Sequence, residues 1–480
     1  MSDLQLTAWR KHGAALAATL VALAAFLVPG GQVAGQQQGI RPWPANPRYW
    51  EYKGRPVLLL GGSDDDNLFQ WPAEMLGPQL DLVRSVGGNY VRNTMSDRRD
   101  RGFEQYPFAR RPDGKYDLES WNDEYWDRFE RFLQWTRDRD IIVQIEVWDR
   151  FDYSREHWPP HPYNHANNVN YTREASTLAP EYPQHPGANV QPFFFTTPGQ
   201  RNNATVLKYQ QRFVDRMLSH ALKYGHVLYC VDNETKGEEE WSRYWAEYIR
   251  TKADAAGRRI HITEMWDDWD ITAERHRRTL DRPELYGFAD LSQNNHNSGL
   301  LHWRNALWAR EYVTKRPRPI NTVKTYGADG NAFKHTDQDG LERFFRHILA
   351  GFASARFHRP PSGLGLNAKA QSAIATIRRL ETLIPLWDVS PEADVMDNLD
   401  GAHVYAATAA DGRRVLYFPS GGRTMLPLAS PDYEITWIGP GGTLQRGQLG
   451  VQAVGGHVIM PPDAGHWIGV LTKRRSGPSH

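Results

Sequence analysis

Cysteine is almost absent from this chain of 480 residues, which has Cys230 alone and therefore can form no disulfide within itself. Cys230 stands in an apolar run, so we expect a buried, inert thiol rather than a nucleophile. The chain also has no marked excess of positive or negative charge, since it contains 57 basic and 56 acidic residues and has a formal net charge of +1. This balance gives no indication of a nucleic-acid or anionic-membrane partner.

Sequence signatures of several enzyme classes are also missing. The chain has no G-x-S-x-G motif, no P-loop and no G-x-G-x-x-G after a strand, so esterase, NTPase and dinucleotide-binding functions lack support. Its histidines show no zinc-site spacing. The run Asp64-Asp-Asp66 could hold Ca²⁺ through oxygen ligands, but the spacing of an EF-hand is absent. We therefore expect neither a metal ion nor a cofactor.

Long apolar runs are confined to the N-terminal end. Residues 13–28 form an apolar stretch that is short for a membrane span, with Arg10 and Lys11 before it and the small-residue sequence Val33-Ala-Gly35 after it. This order predicts a signal peptide over residues 1–35 and a secreted or periplasmic protein. An uncleaved membrane anchor is the alternative.

Aromatic residues are plentiful, with 18 Trp, 21 Tyr and 18 Phe. Such side chains dominate burial in protein cores, so part of this content must be core. The excess also suits a cleft that stacks on flat, uncharged ligands such as sugars. For any single Trp, a place in the core explains its presence about as well.

The chain after the predicted signal peptide alternates between short apolar runs and helical patterns, which is typical of parallel strands with crossover helices. The strand candidates are residues 56–62, 89–94, 141–147, 226–231, 259–263, 288–292, 319–323 and 353–358. Eight is the number of strands that closes a (β/α)₈ barrel. We therefore predict an α/β fold with a (β/α)₈ TIM barrel over residues 40–395.

Two further regions differ from the barrel pattern. From about residue 397, short strand-like runs separated by turns predict a small C-terminal antiparallel β-sandwich over residues 396–473, followed by a disordered tail over residues 474–480. Residues 151–204 are rich in Pro, Asn, His and Tyr and show no periodicity. Since they follow the third strand, we expect them to cover the C-terminal face of the barrel or to form a wall of a binding site.

Carboxylates and amides crowd the ends of the predicted strands, where barrel enzymes carry their active sites. Such groups are costly to bury without partners, and on neighbouring strands they would converge on one cleft. Hydrolysis of a glycosidic bond needs two carboxyl groups in one cleft. One protonates the leaving oxygen, and the other attacks the anomeric carbon or activates water. Burial and a nearby like charge can raise the pKa of one of them so that it acts as the acid.

The pair Asn233-Glu234 at the end of the fourth strand resembles the Asn-Glu pair of clan A glycoside hydrolases, in which that Glu is the general acid/base. The segments Tyr52-Lys-Gly-Arg-Pro-Val57, Gly87-Gly-Asn-Tyr-Val-Arg92 and Gly465-His-Trp467 resemble the apiosidase-like branch. Members of that branch often carry a C-terminal domain named for collagen binding. The resemblance covers about residues 50–471 and implies a glycoside hydrolase in which Glu234 is the acid/base.

The chain departs from this clan at strand seven, where the resemblance requires a nucleophilic Glu. Val323 stands there, followed by Lys324, and a valine cannot be a nucleophile. Three explanations remain. Another carboxylate serves, with Glu264 first and Glu146 or Asp149 next; or a more distant base activates water and the enzyme is inverting; or the site binds sugars, or performs a different reaction, without hydrolysing them. The rival function is thus a non-catalytic glycan-binding protein on a degenerate barrel.

We predict Glu234 and Glu264 as the catalytic carboxylates, and Trp148 and Trp266 as platforms that stack on sugar rings. The other predicted substrate-binding residues stand at or near strand ends: Asp64, Asp65, Asn93, Glu146, Asp149, Asn233, His296, Lys324, Tyr326, Arg356 and His358. The substrate is an oligosaccharide or polysaccharide. Lys324 and the arginines near the strand ends make a uronate or sulfated sugar one hypothesis, and structural ion pairs with neighbouring acids the alternative. The sugar, the linkage, exo or endo action and the oligomeric state stay open.

Overall fold

The structure, a computed structural model, describes residues 39–396, 400, 403–426, 433–447, 449, 452–453 and 456–473. The predicted signal peptide and the predicted C-terminal tail lie outside the described residues. No helix in the described ranges is both long and apolar enough to cross a membrane.

The strands up to residue 357 are, in chain order, β1 (Arg41–Trp43), β2 (Asn46–Tyr52), β3 (Arg55–Val57), β4 (Leu59–Gly62), β5 (Tyr90–Thr94), β6 (Phe108–Arg110), β7 (Tyr116–Trp121), β8 (Ile142–Asp149), β9 (Val227–Asn233), β10 (Ile262–Thr263), β11 (Ala289–Asp290), β12 (Ile320–Asn321) and β13 (Ser354–Phe357). The α-helices are α1 (Ala73–Ser85), α2 (Asp123–Asp138), α3 (Arg173–Ser176), α4 (Ala204–Ala221), α5 (Glu239–Ala255), α6 (Glu274–Leu280), α7 (Gly299–Tyr312), α8 (Asp337–Leu349) and α9 (Ala368–Leu383).

Eight parallel strands form the barrel. Six of them pair in the order β10-β9-β8-β5-β4-β13, and β11 pairs with β12. The Ala353 N–H donates to the Ile320 carbonyl at 2.8 Å, which joins β13 to β12. The Asp290 N–H donates to Thr263 Oγ1 at 3.2 Å, which joins β11 to β10. Each of the eight predicted strands overlaps one barrel strand, so the predicted α/β barrel is confirmed.

The first predicted strand, residues 56–62, is in fact two strands. Its first part is β3, which belongs to an antiparallel sheet of β1, β2 and β3, and only β4 enters the barrel. The chain reverses between β2 and β3 at Lys53 and Gly54, where φ is 52° and 76°. Positive φ at both central residues is the conformation of a two-residue hairpin, which pairs β3 with β2 before the chain enters the barrel as β4.

The C-terminal part contains β14 (Val389–Pro391), β15 (Tyr405–Ala409), β16 (Arg414–Phe418), β17 (Thr424–Leu426), β18 (Tyr433–Ile438), β19 (Leu444–Gly447), β20 (Gln452–Ala453), β21 (Gly456–Ile459) and β22 (Trp467–Lys473). They form an antiparallel sheet in the order β14-β15-β16-β22-β18-β19 and a smaller one in the order β17-β21-β20.

The larger C-terminal sheet packs against the barrel. The ring of Tyr405 lies 5.2 Å from that of Trp303 on α7, and the ring of Tyr417 lies 4.9 Å from that of Phe345 on α8. The predicted antiparallel region is therefore present. The predicted domain boundary after residue 395 stays a prediction, since the larger sheet already begins with β14.

The long segment between β8 and α4 carries only α3 and short 3₁₀ helices, such as Arg150–Tyr153 and Pro192–Phe195. It is nonetheless densely packed. The rings of Tyr153 and Phe193 stack at 4.1 Å, and Trp158 is fully buried nearby. Buried aromatic side chains therefore hold this segment in place, although its sequence shows no periodicity.

Candidate active site

A pocket of about 190 Å³ opens at the C-terminal end of the barrel. Five of the predicted site residues line it: Asn233, Glu234, Lys324, Tyr326 and His358. The other lining residues are Asp66, Arg92, Arg98, Phe151, Phe333, Arg359 and Ser362. Phe151 is the contribution of the long segment after β8, so that segment supplies part of the pocket wall.

Glu234 directly follows β9, the fourth barrel strand, and has a φ of 47°. A left-handed backbone is unfavourable for a residue other than Gly, and such strain is concentrated at functional sites. Three donors bind the same carboxylate oxygen, Oε1: Lys324 Nζ at 2.9 Å, Tyr326 Oη at 2.6 Å and Gln293 Nε2 at 2.9 Å. Since these donors all bind Oε1, the other oxygen, Oε2, is left for a ligand.

The charge on Glu234 follows from these contacts. Burial by itself would raise the pKa of Glu234, but the Lys324 charge and the hydrogen bonds from Tyr326, Lys324 and Gln293 outweigh it. Together they hold the pKa of Glu234 well below its usual range. In the free protein near neutral pH, Glu234 is therefore a carboxylate, which is the form of a nucleophile or a base rather than of an acid.

Arg92 forms the floor of the pocket together with two acids. Its guanidinium lies 2.6 Å from Asp66 and 2.6 Å from Glu146, and all three side chains are buried. Burial would raise the pKa of Asp66, yet its basic neighbours, first Arg92 and then His358, keep that pKa well below its usual range. For Glu146 burial prevails over Arg92, and its pKa is raised.

Further cations of the site also pair with acids. Arg359 lies 2.9 Å from Asp66, and Arg98 lies 3.0 Å from Asp149. Asp149 in turn accepts a hydrogen bond from Asn233 at 2.9 Å. Of the two explanations for the basic residues near the strand ends, structural ion pairing therefore describes the contacts seen here.

Glu264 lies outside the pocket. Its Oε1 accepts hydrogen bonds from the main-chain N–H groups of Asp232 and Met265, each at 2.9 Å, and the residue is fully buried. Burial and then the charge of Asp232 raise the pKa of Glu264 well above its usual range. Because its carboxyl is buried, bonded to the main chain at Asp232 and Met265, and not among the groups that line the pocket, we do not assign Glu264 the second catalytic role.

The two predicted stacking tryptophans are fully buried. The Trp148 ring lies 5.1 Å from that of Trp245, and Trp266 donates from Nε1 to Thr279 at 2.8 Å. Neither ring face is open to a ligand, so both predictions are corrected to positions in the core. The alternative explanation from the sequence, that an individual Trp belongs to the core, holds for both.

Several other predicted binding residues hold the loops around the pocket instead of lining it. Asp64 accepts from the Leu366 N–H at 3.0 Å, and Asn93 accepts from the Phe69 N–H at 3.1 Å. Asp65 forms an ion pair with Arg101 at 2.7 Å, and Arg356 donates a hydrogen bond to the Val323 carbonyl at 2.8 Å. These bonds explain why polar residues follow the strands without touching the pocket.

A wall of aromatic rings extends from the pocket. His296 lies 4.7 Å from Tyr326 and 5.2 Å from Phe333, and Trp269 stacks on His296 at 4.3 Å with an interplanar angle of 14°. We call Trp269, His296, Tyr326 and Phe333 the aromatic wall. Trp269 is 54% exposed and Phe333 42%. The sequence contained the signal for Trp269, since it stands after strand five only three residues beyond Trp266.

Neither a family model nor a curated protein sequence matches this chain. Its fold is similar to that of a glycoside hydrolase family 5 protein from Bacteroides vulgatus ATCC 8482, with a TM-score of 0.59 and 11% identity over 91% of this chain and 94% of that chain. A second structure, described as a glycoside hydrolase, has a TM-score of 0.57 and 10% identity over 92% and 98% of the two chains. The likeness shows that this chain shares the fold of these two structures over nearly its whole length.

Proposed function

We propose that this protein is a glycoside hydrolase that cleaves O-glycosidic bonds in an oligosaccharide or polysaccharide. The observation that carries the proposal is Glu234, an ionised carboxylate in an open pocket at the end of the fourth barrel strand. The similarity in fold to proteins described as glycoside hydrolases supports it. Export through a signal peptide and a place in the apiosidase-like branch belong to the same proposal and rest on the sequence.

Glu234 has the properties of the group that acts on the anomeric carbon. Lys324 and Tyr326 keep it ionised and fix its orientation through Oε1, while Oε2 is left for the reaction. In a retaining reaction this carboxylate attacks the carbon, and in an inverting one it takes a proton from the attacking water. The resemblance implies the acid/base role for Glu234; because Val323 stands where the clan carries its nucleophile and the pKa of Glu234 is held low, we propose that Glu234 acts here as the nucleophile or base instead.

The second candidate function is glycan binding without hydrolysis. It is favoured by Asp66, the other carboxylate among the pocket-lining residues, which is bound to Arg92 at 2.6 Å and to Arg359 at 2.9 Å and is therefore not free to react. The two functions are separated by incubating the protein with a panel of 4-methylumbelliferyl glycosides and with oligosaccharides. Turnover that is lost in a Glu234→Gln variant supports hydrolysis, whereas binding of oligosaccharides without turnover by the wild type supports the second function.

The panel should include uronides as well as neutral sugars. Arg359 lines the pocket, and its side chain is 34% exposed although it pairs with Asp66. It is thus the cation placed to meet a carboxylate or sulfate on a substrate. A preference for uronides over the matching neutral glycosides would support the anionic-substrate hypothesis, and equal turnover would remove it.

The aromatic wall leads to a prediction for Trp269→Ala. We expect KM to rise about 2- to 10-fold with kcat little changed, because an aromatic stacking contact contributes about 0.5–1.5 kcal/mol to substrate and transition state alike. The measurement is the initial rate against oligosaccharide concentration. Trp308→Ala on α7, outside the aromatic wall, is the control. An unchanged KM in W269A would show that substrate does not reach the wall.

Lys324→Met tests how Glu234 is kept ionised. Loss of the adjacent positive charge should raise the pKa of Glu234, because an opposite charge in contact favours the ionised form. A reaction that needs the carboxylate fails below this pKa, so the acidic limb of the kcat/KM profile should move to higher pH. Lys315→Met, a change at an exposed lysine, should leave the limb in place. If the acidic limb also stays in place in K324M, Lys324 does not keep the catalytic carboxylate ionised, and the role assigned to Glu234 is contradicted.

A further inference from the structure

The pocket around Glu234 is walled by only part of the barrel rim. Its lining residues stand at the ends of β4, β5, β8, β9, β12 and β13 or in the loops after them. Within residues 39–396, all of which the structure describes, the loops after β10 and β11 contribute no lining residue. In the order of the barrel strands, β10 and β11 lie opposite β4 and β5. The pocket is therefore open on one side and closed on the other.

The closed side is held together by ion pairs between neighbouring loops. Arg359, after β13, lies 2.9 Å from Asp66, after β4. Arg98, after β5, lies 3.0 Å from Asp149 at the end of β8, and its guanidinium lies 5.8 Å from the ring centre of Phe151. All of these residues except Asp149 line the pocket. A sugar chain therefore cannot continue through this side without breaking the contacts between the loops.

The aromatic wall leads out of the open side. Tyr326 and Phe333 line the pocket, and their ring centres lie 5.5 Å apart. His296 and Trp269 continue the wall beyond the lining, after β11 and β10 respectively. The Asn297 side chain donates to the Trp269 carbonyl at 2.8 Å, which joins these two loops. Sugar rings that extend from the pocket in this direction would therefore meet aromatic faces.

The volume of the pocket limits what it can hold. It is about 190 Å³, whereas pockets that enclose drug-sized ligands measure about 300–1,000 Å³. The pocket therefore accommodates one sugar ring rather than a stretch of chain. We propose that the enzyme is exo-acting and removes single sugar residues from the non-reducing ends of its substrate. This inference rests on the proposed function.

The position of Glu234 determines which end of the chain enters. This carboxylate acts on the anomeric carbon of the ring inside the pocket, and the glycosidic bond of that carbon leads out to the rest of the chain. The ring in the pocket is therefore the non-reducing terminal residue, with no further sugar behind it. Each turnover breaks the bond between its anomeric carbon and the glycosidic oxygen, and water supplies a hydroxyl group to the carbon and a proton to the oxygen.

The test follows the products of a tetrasaccharide whose linkage the wild type cleaves, labelled with 2-aminobenzamide at its reducing end. The labelled trisaccharide should appear first and the labelled disaccharide only after it, while monosaccharide is the only unlabelled product. The same tetrasaccharide with a benzylidene acetal on its non-reducing terminal residue should not be hydrolysed, because the pocket has no room behind that ring. The Glu234→Gln variant is the control for contaminating glycosidases, and it should leave the unblocked compound intact over the same time.

Two results would overturn the inference while leaving the proposed function intact. Labelled disaccharide or labelled monosaccharide among the first products would show that the wild type cleaves internal bonds. Hydrolysis of the blocked tetrasaccharide at the rate of the unblocked one would show that the chain extends on both sides of Glu234. A wild type that turns over no glycoside in the panel would instead remove the proposed function and this inference with it.

Discussion

The Glu234→Gln variant should hydrolyse glycosides at least about 10³-fold more slowly than the wild type, while its affinity for the sugar stays nearly the same. The amide keeps the shape of the side chain and can still accept from Lys324 and Tyr326, but it can neither attack carbon nor take a proton. Loss of a group that acts in the transition state lowers kcat and kcat/KM together. The measurements are steady-state rates and calorimetric titration with a product oligosaccharide.

Glu247→Gln is the matched control, since Glu247 is an exposed residue on α5 and lies away from the pocket. It should hydrolyse at the wild-type rate. Retained activity in E234Q would contradict the catalytic role of Glu234 outright. The variant Glu234→Gly with added azide then distinguishes the two stereochemical courses, because a retaining enzyme that has lost its nucleophile forms a glycosyl azide of inverted configuration.

The Arg92→Met variant should lose about 3–5 kcal/mol of its free energy of unfolding. Arg92 is fully buried between Asp66 and Glu146, at 2.6 Å from each. Removing one member of a buried ion cluster leaves the opposite charges without a partner in a poorly polarisable environment, and this costs far more than the pair contributes. The midpoint of urea unfolding, followed by tryptophan fluorescence, measures the change.

Arg359→Met is the comparison, because Arg359 pairs with the same Asp66 but is one-third exposed. A solvent-screened pair contributes about 0–1 kcal/mol, so this variant should remain close to the wild type. Replacing Glu146 by Gln together with Arg92 by Met should restore part of the loss. Equal midpoints for R92M and R359M would mean that water reaches the cluster and relieves the unpaired charge.

The barrel could be predicted from the sequence because strands buried on both faces are continuous apolar runs. All eight residues of β8 are buried, and the sequence there is almost free of polar side chains until Glu146. The division of the first predicted strand was missed because β3 and β4 follow each other in one apolar run. Nothing in that run marks the point at which the chain leaves the small sheet and enters the barrel.

The candidate site was predicted in part, and its errors have a common cause. Asn233, Glu234 and Lys324 line the pocket, as expected for residues at strand ends. After strand five, however, the prediction took Glu264 and Trp266, which are fully buried, whereas Trp269 is 54% exposed and stacks on His296. The run after β10 alternates acidic and aromatic residues, and only three positions in it separate a buried Trp from an exposed one. Because β10 spans only two residues, the sequence pattern does not show which of the residues after it are buried and which are exposed.

The segment between β8 and α4 determines how a ligand meets this site. It has the length of a mobile lid, yet Tyr153, Trp158 and Phe193 anchor it as a hydrophobic core anchors a domain. The part of the pocket lining that contains Phe151 is therefore held by packing before a ligand arrives. The entropy of ordering a loop is then not subtracted from the binding free energy, and affinity reports directly on the contacts that a ligand makes.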